Sequence, residues 1–75
     1  MNDKYISKYR MVGLNIAYYR KLRGLTQEAL AEAMDIDQTH LSKIERAVVG
    51  ISLDNLFKIA EILDIDAYKL LVFKQ

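Results

Sequence analysis

Gly24-Leu25-Thr26-Gln27-Glu28-Ala29-Leu30-Ala31-Glu32-Ala33-Met34-Asp35-Ile36-Asp37-Gln38-Thr39-His40-Leu41-Ser42-Lys43-Ile44-Glu45-Arg46 reads as two short helices meeting at a corner. Thr26 suits an N-cap, because its hydroxyl can accept one of the N–H groups left open at a helix start. A helix is predicted over Gln27 to Met34, with Leu30 and Met34 four apart and Ala31 beside Leu30. Asp35-Ile36-Asp37 interrupts it. Asp37 is the next N-cap candidate and opens a helix from Gln38 to about Arg46, with Leu41 and Ile44 inward.

Upstream, Tyr5, Tyr9, Val12, Ile16 and Tyr19 recur at intervals of four and three, an apolar stripe on one helix from about Lys4 to Arg23. Gly24 suits the stop. Gly13 costs about 1 kcal/mol against Ala inside a helix, so the helix is expected to weaken or break there. Residues 1–11 are read as an N-terminal extension of this first helix. Downstream, Ala47-Val48-Val49-Gly50-Ile51 is a loop of unusually apolar composition. Ser52 caps a fourth helix from Leu53 to Leu63, with Leu56, Ile59, Ala60 and Leu63 inward. Asp66 caps a short fifth helix from Ala67 to about Val72. The expectation is an all-α chain with one domain over residues 12–72 and a tail at 73–75.

One echo supports this reading. Ala31-Glu32-Ala33-Met34-Asp35-Ile36-Asp37 and Ala60-Glu61-Ile62-Leu63-Asp64-Ile65-Asp66 stand 29 residues apart and nearly superimpose. Both describe a helix that ends, a residue that turns the chain, an apolar plug, and an Asp that caps the next helix. Asp tolerates the left-handed turn conformation better than most side chains.

The composition excludes several classes. The 75 residues carry a net charge of +1, no Cys and one His. That removes a disulfide framework, a thiolate site and any site needing two histidines. No metal or cofactor is called for. No apolar run approaches the roughly 18 residues that span a bilayer, and no secretory leader is visible, so a cytoplasmic home is expected. Charge is uneven. Residues 1–25 carry six cations against one acid, a net of +5; residues 26–47 net −3 and residues 48–75 net −1. A polyanion would feel the first helix most strongly.

Arg20, Gly24-Leu25-Thr26-Gln27, Leu30-Ala31, Ile36, Leu41-Ser42-Lys43-Ile44-Glu45-Arg46, Ser52-Leu53, Leu56, Ile59-Ala60 and Leu63 together resemble the helix-turn-helix domain of phage repressors, Cro and Xre-type regulators. The resemblance runs from Val12 to Leu71. It implies a five-helix, lambda-repressor-like DNA-binding domain with the helix-turn-helix at the second and third helices. The third helix would then lie in the major groove of double-stranded DNA. Asp35 stands where the family usually has Gly.

With Leu41 and Ile44 inward, the third helix turns Gln38, Thr39, Ser42 and Lys43 outward, with His40 at the margin. None is acidic. Gln38 can present a bidentate amide to adenine, and Lys43 can donate to guanine; Thr39, Ser42 and His40 complete the candidate base contacts. The resemblance places a phosphate contact at Gln27, where a helix N-terminus favours an anion. Arg46, Arg23 and Lys21 are further phosphate candidates. The resemblance also pairs Arg20 with Glu45 in a structural salt bridge.

Tyr68, Leu70, Leu71, Val72 and Phe73 cluster at the C-terminal end, and a short fifth helix cannot bury them all. Val48, Val49 and Ile51 are candidates for the same surface. A homodimer through Tyr68, Leu71, Val72 and Phe73 is expected. The reading is a single-domain, sequence-specific transcriptional regulator that binds an inverted-repeat operator. The alternative is an interaction module of the same fold, antitoxin-like, with little DNA binding. An enzyme is not expected: His40 is alone, Ser42 has no base beside it, and Glu28 with Glu32 reads as a solvated face.

Overall fold

The structure, a computed structural model, describes residues 3–73. A 3-10 turn at Asp3–Tyr5 leads into α1 (Ile6–Leu22), followed by α2 (Gln27–Met34), α3 (Gln38–Glu45), α4 (Leu53–Leu63) and a 3-10 helix at Ala67–Leu71. There is no strand among the described residues. Residues 1 and 2 of the expected extension, and 74 and 75 of the expected tail, lie outside the described residues.

Two caps form as their residue types predict. Thr26 Oγ1 accepts from the Ala29 N–H at 3.0 Å, and Ser52 Oγ accepts from the Asn55 N–H at 3.1 Å. Asp37 and Asp66 occupy N-cap positions with extended backbone but make no side-chain cap bond. The fifth element corrects the five-helix expectation. It is a five-residue 3-10 helix, closed by the Lys69 N–H on the Asp66 carbonyl. So short a segment, without a side-chain cap, does not repay the cost of nucleating an α-helix.

The corner rule holds and extends. Asp35 and Asp64 are left-handed, with φ of 59° and 55°. At each corner the next residue, Ile36 or Ile65, donates back to the carbonyl of Ala31 or Ala60. This is the bond pattern of a Schellman cap, with the isoleucine covering the corner. Gly24, at φ 74°, does the same with Leu25 on the Arg20 carbonyl. Ala47 makes a fourth such corner at φ 58°, with Val48 donating to the Lys43 carbonyl. Nothing in an alanine predicts this, since a left-handed Cβ costs about 1–2 kcal/mol. Its side chain is buried instead.

The core draws Val12 and Ile16 from α1, Leu30, Ala31 and Met34 from α2, Leu41 and Ile44 from α3, and Leu56, Ile59, Ala60 and Leu63 from α4. Leu70 closes it with no exposed surface, so it leaves the set of exposed C-terminal residues. The apolar loop is explained the same way. Ala47 is buried, and Val49 and Ile51 pack against the core, leaving Val48 outside. Helix α1 runs unbroken through Gly13, contrary to the expected weakening. The reason is tertiary. Gly13 is buried where α1 crosses α3, and a Cβ there would overlap the Glu45 carbonyl oxygen and lie 3.0 Å from that of Ile44.

Candidate nucleic-acid interface

Leu41 and Ile44 are buried and hold α3 against the core, so its remaining side chains point out. Gln38, Thr39, His40 and Lys43 are exposed and Ser42 is half-buried. Four of the five candidate base contacts thus form one open face. The start of α2 meets this face: Gln27, Gln38, Thr39 and Ser42 line one shallow depression.

A buried polar linkage sets the angle between these elements. Arg20 donates from Nε to Glu45 Oε2 at 2.8 Å and from Nη2 to Glu45 Oε1 at 3.1 Å. Its Nη1 donates to the Leu25 carbonyl at 2.9 Å. Gln27 Nε2 donates to the same Glu45 Oε1 at 2.9 Å. One carboxylate therefore ties α1, the start of α2 and the end of α3. The paired side chains retain 9% and 5% of their exposure, which makes the pair a fastener rather than a solvated surface bridge. Gln27 is thereby oriented with its amide on Glu45, beside the N–H groups left open at the start of α2.

The other cations divide. Arg46 is exposed just past α3 and donates from Nε to Ser42 Oγ at 3.2 Å, which braces both on the outer face of α3. Arg23 lies elsewhere. Its Nε donates to the Leu63 carbonyl at 2.7 Å and its Nη2 to the Asp64 carbonyl at 3.0 Å, closing the end of α4. That satisfies carbonyls a helix end leaves open and places a cation at the negative end of its dipole. Lys21 is exposed on α1. Neither Arg23 nor Lys21 joins the depression around Gln27.

His40 lines a second depression with Glu28, Glu32, Asp35 and Asp37, and Gln38 lines both depressions. The outer face of α3 therefore has a cationic end at Lys43 and Arg46 and an anionic flank. No group of side chains suited to a metal ion occurs among the described residues.

The expected dimer residues also divide. Asn15 Nδ2 donates to the Leu70 and Val72 carbonyls, both at 3.0 Å, and pins the end of the chain to α1. The extended tail turns Leu71 and Phe73 into a groove with Tyr5, Tyr9 and Leu53. Val72 faces the other way, beside Leu14 and Tyr18. Tyr68 is exposed. Leu53 and Phe57, exposed one turn apart on α4, enlarge this apolar surface and were not singled out from sequence. The signal was present in their spacing of four, which sets them on one flank of the helix beside Leu56.

Residues 16–70 match the family model described as helix-turn-helix. A hypothetical transcription factor of Neisseria meningitidis is 36% identical over 62 residues, which cover 83% of this chain and 58% of that protein. The crystal structure of the Neisseria factor superposes with a TM-score of 0.82 at 34% identity, covering 87% of this chain and 75% of that one. The restriction-modification controller protein C.AhdI from Aeromonas hydrophila superposes with a TM-score of 0.81 at 31% identity, covering 85% and 97%. The control protein C.BamHI from Bacillus amyloliquefaciens is 41% identical over 49 residues, covering 65% of this chain and 60% of that protein. The chain thus spans less than two thirds of the length of the Neisseria and Bacillus relatives.

Proposed function

Since the chain belongs to the Xre-type helix-turn-helix family of DNA-binding regulators, we propose that it is a sequence-specific transcriptional regulator reading an inverted-repeat operator, with α3 in the major groove. The observation that carries this reading is the outer face of α3. It is exposed, free of acids, and backed by two fully anchored residues and the Arg20–Glu45–Gln27 linkage. Such rigid backing is what base readout requires.

Gln38 and Lys43 read bases, with Thr39 and Ser42 beside them; Gln27 and Arg46 hold phosphates on either side. His40 faces carboxylates and stands at the edge of the contact. Few cations and an acidic flank imply weak non-specific binding, because that term grows with the number of phosphates neutralised. Val49 and Ile51, which would have favoured a pure interaction module, are occupied by the core.

Selection from random duplexes at near-physiological salt is expected to enrich an inverted repeat. Gln38→Ala and Lys43→Ala are each expected to lose about 1–3 kcal/mol of discrimination between matched and mismatched sites. Enrichment of nothing by the folded protein would defeat the proposal.

Two-fold operators call for a two-fold protein, with reading helices about 34 Å apart. The proposed dimer face is Leu53, Phe57, Tyr68, Leu71 and Phe73, of which Leu53, Leu71 and Phe73 line the groove beside Tyr5. Phe73→Glu is expected to give a monomer by sedimentation at micromolar concentration and to weaken operator binding. A monomeric wild type would contradict the dimer and leave base reading by α3 to its own test.

A further inference from the structure

Helix α1 buries one face and leaves the opposite face apolar. Leu14, Tyr18 and Leu22 stand on successive turns and are 64%, 60% and 62% exposed. Met11 and Val72 extend this ridge at its side. A surface helix places polar side chains opposite its buried stripe. Three large apolar side chains in register, all mostly exposed, are instead the pattern of a contact surface.

The ridge is separate from both surfaces described above. Gly13 and Arg20 are the α1 residues that meet α3. At 100° per residue they lie on the far side of the helix from Leu14, Tyr18 and Leu22. Leu71 and Phe73 turn away from it into the other groove.

Charge indicates what covers the ridge. Helix α1 contains Lys8, Arg10, Arg20 and Lys21 and no acid. Arg20 is committed to Glu45. Arg10 and Lys21 are exposed, and the helical period sets them along one edge of the Leu14–Tyr18 ridge. We propose that this ridge is a docking surface for a different protein presenting an acidic amphipathic helix. Its apolar stripe covers Leu14, Tyr18 and Leu22, and its carboxylates lie along Arg10 and Lys21.

A second copy of this chain fits poorly. Two-fold packing of α1 on α1 sets these cations against cations, with no acid in either helix to offset them. DNA fits poorly as well, because the ridge offers phosphates two leucines and a single tyrosine hydroxyl. Since the ridge lies away from the outer face of α3, partner and DNA can be held together.

The test uses a fluorescein-labelled synthetic helix with leucines on successive turns flanked by glutamates, and a control with lysines in place of the glutamates. Fluorescence anisotropy with the full chain is expected to show the acidic peptide binding at least about tenfold tighter than the lysine peptide, and more weakly as salt rises. Leu14→Ser with Leu22→Ser, and separately Arg10→Glu with Lys21→Glu, are each expected to weaken it about tenfold. Helical content should stay unchanged in both double variants, and operator affinity in Leu14→Ser with Leu22→Ser, whose side chains are exposed away from the outer face of α3. Equal binding of the two peptides, or indifference to both double variants, would overturn the proposal. So would conversion of a dimer to monomer by Leu14→Ser with Leu22→Ser, which would assign the ridge to a second copy. A loss of operator affinity in that variant would assign it to DNA.

Discussion

Arg20→Ala is expected to cost about 3–5 kcal/mol of folding stability. The variant leaves the Glu45 carboxylate, 5% exposed in the intact pair, with only the Gln27 amide as donor, and leaves the Leu25 carbonyl without its guanidinium partner. The whole stability of a small domain is about 5–15 kcal/mol, so the loss is a large share of the total. Urea denaturation followed by circular dichroism measures it. Arg20→Met combined with Glu45→Leu removes both charges and is expected to recover much of the loss, because two buried charges then no longer require each other. A single variant within about 1 kcal/mol of wild type would show the pair to be as weak as a solvated surface bridge. The functional consequence follows from geometry. Glu45 ends α3 and holds Gln27, so loosening it frees the angle between α3 and the start of α2, the elements proposed above to meet bases and phosphate. Affinity for the operator should fall further than the folded fraction alone explains.

Gly13→Ala is the second large effect, and its sign is opposite to helix propensity. In an isolated helix alanine is favoured over glycine by about 1 kcal/mol. Here the added Cβ meets the Glu45 carbonyl group and lies 3.0 Å from the Ile44 carbonyl oxygen. Both are backbone atoms in the last turn of α3 and cannot rotate aside as a side chain would. Overpacking of this kind costs about 1–3 kcal/mol or more. A net loss of about 2 kcal/mol is expected, read as a fall of roughly 10 °C in Tm. Stabilisation by Gly13→Ala would mean that α1 and α3 are not in close backbone contact. The crossing also bears on the proposed DNA contact, because α3 rests on α1 at that point.

The helix starts and stops were legible because they are local. Thr26 and Ser52 cap with their own hydroxyls within three residues. Asp35 and Asp64 turn left-handed by a rule visible in the repeated Met/Leu-Asp-Ile-Asp pattern. The outer face of α3 was legible too, since burying Leu41 and Ile44 leaves a helix of that period no other way to face. The Arg20–Glu45 pair came from family likeness and not from periodicity. Its residues stand 25 apart, and no local pattern joins them.

What sequence pattern decided, then, is the set of helices, most of their ends and the polar face of α3, because these depend on contacts within about four residues. What only the tertiary structure decided lies between elements. It made Gly13 a crossing point rather than a break. It bonded Arg23 to the carbonyls that end α4, and it accepted Ala47 in a left-handed corner with its side chain buried. It also parted Leu71 and Phe73 from Val72. Each turns on a side chain or carbonyl supplied from a distant part of the chain, and periodicity carries no information about which distant group arrives there.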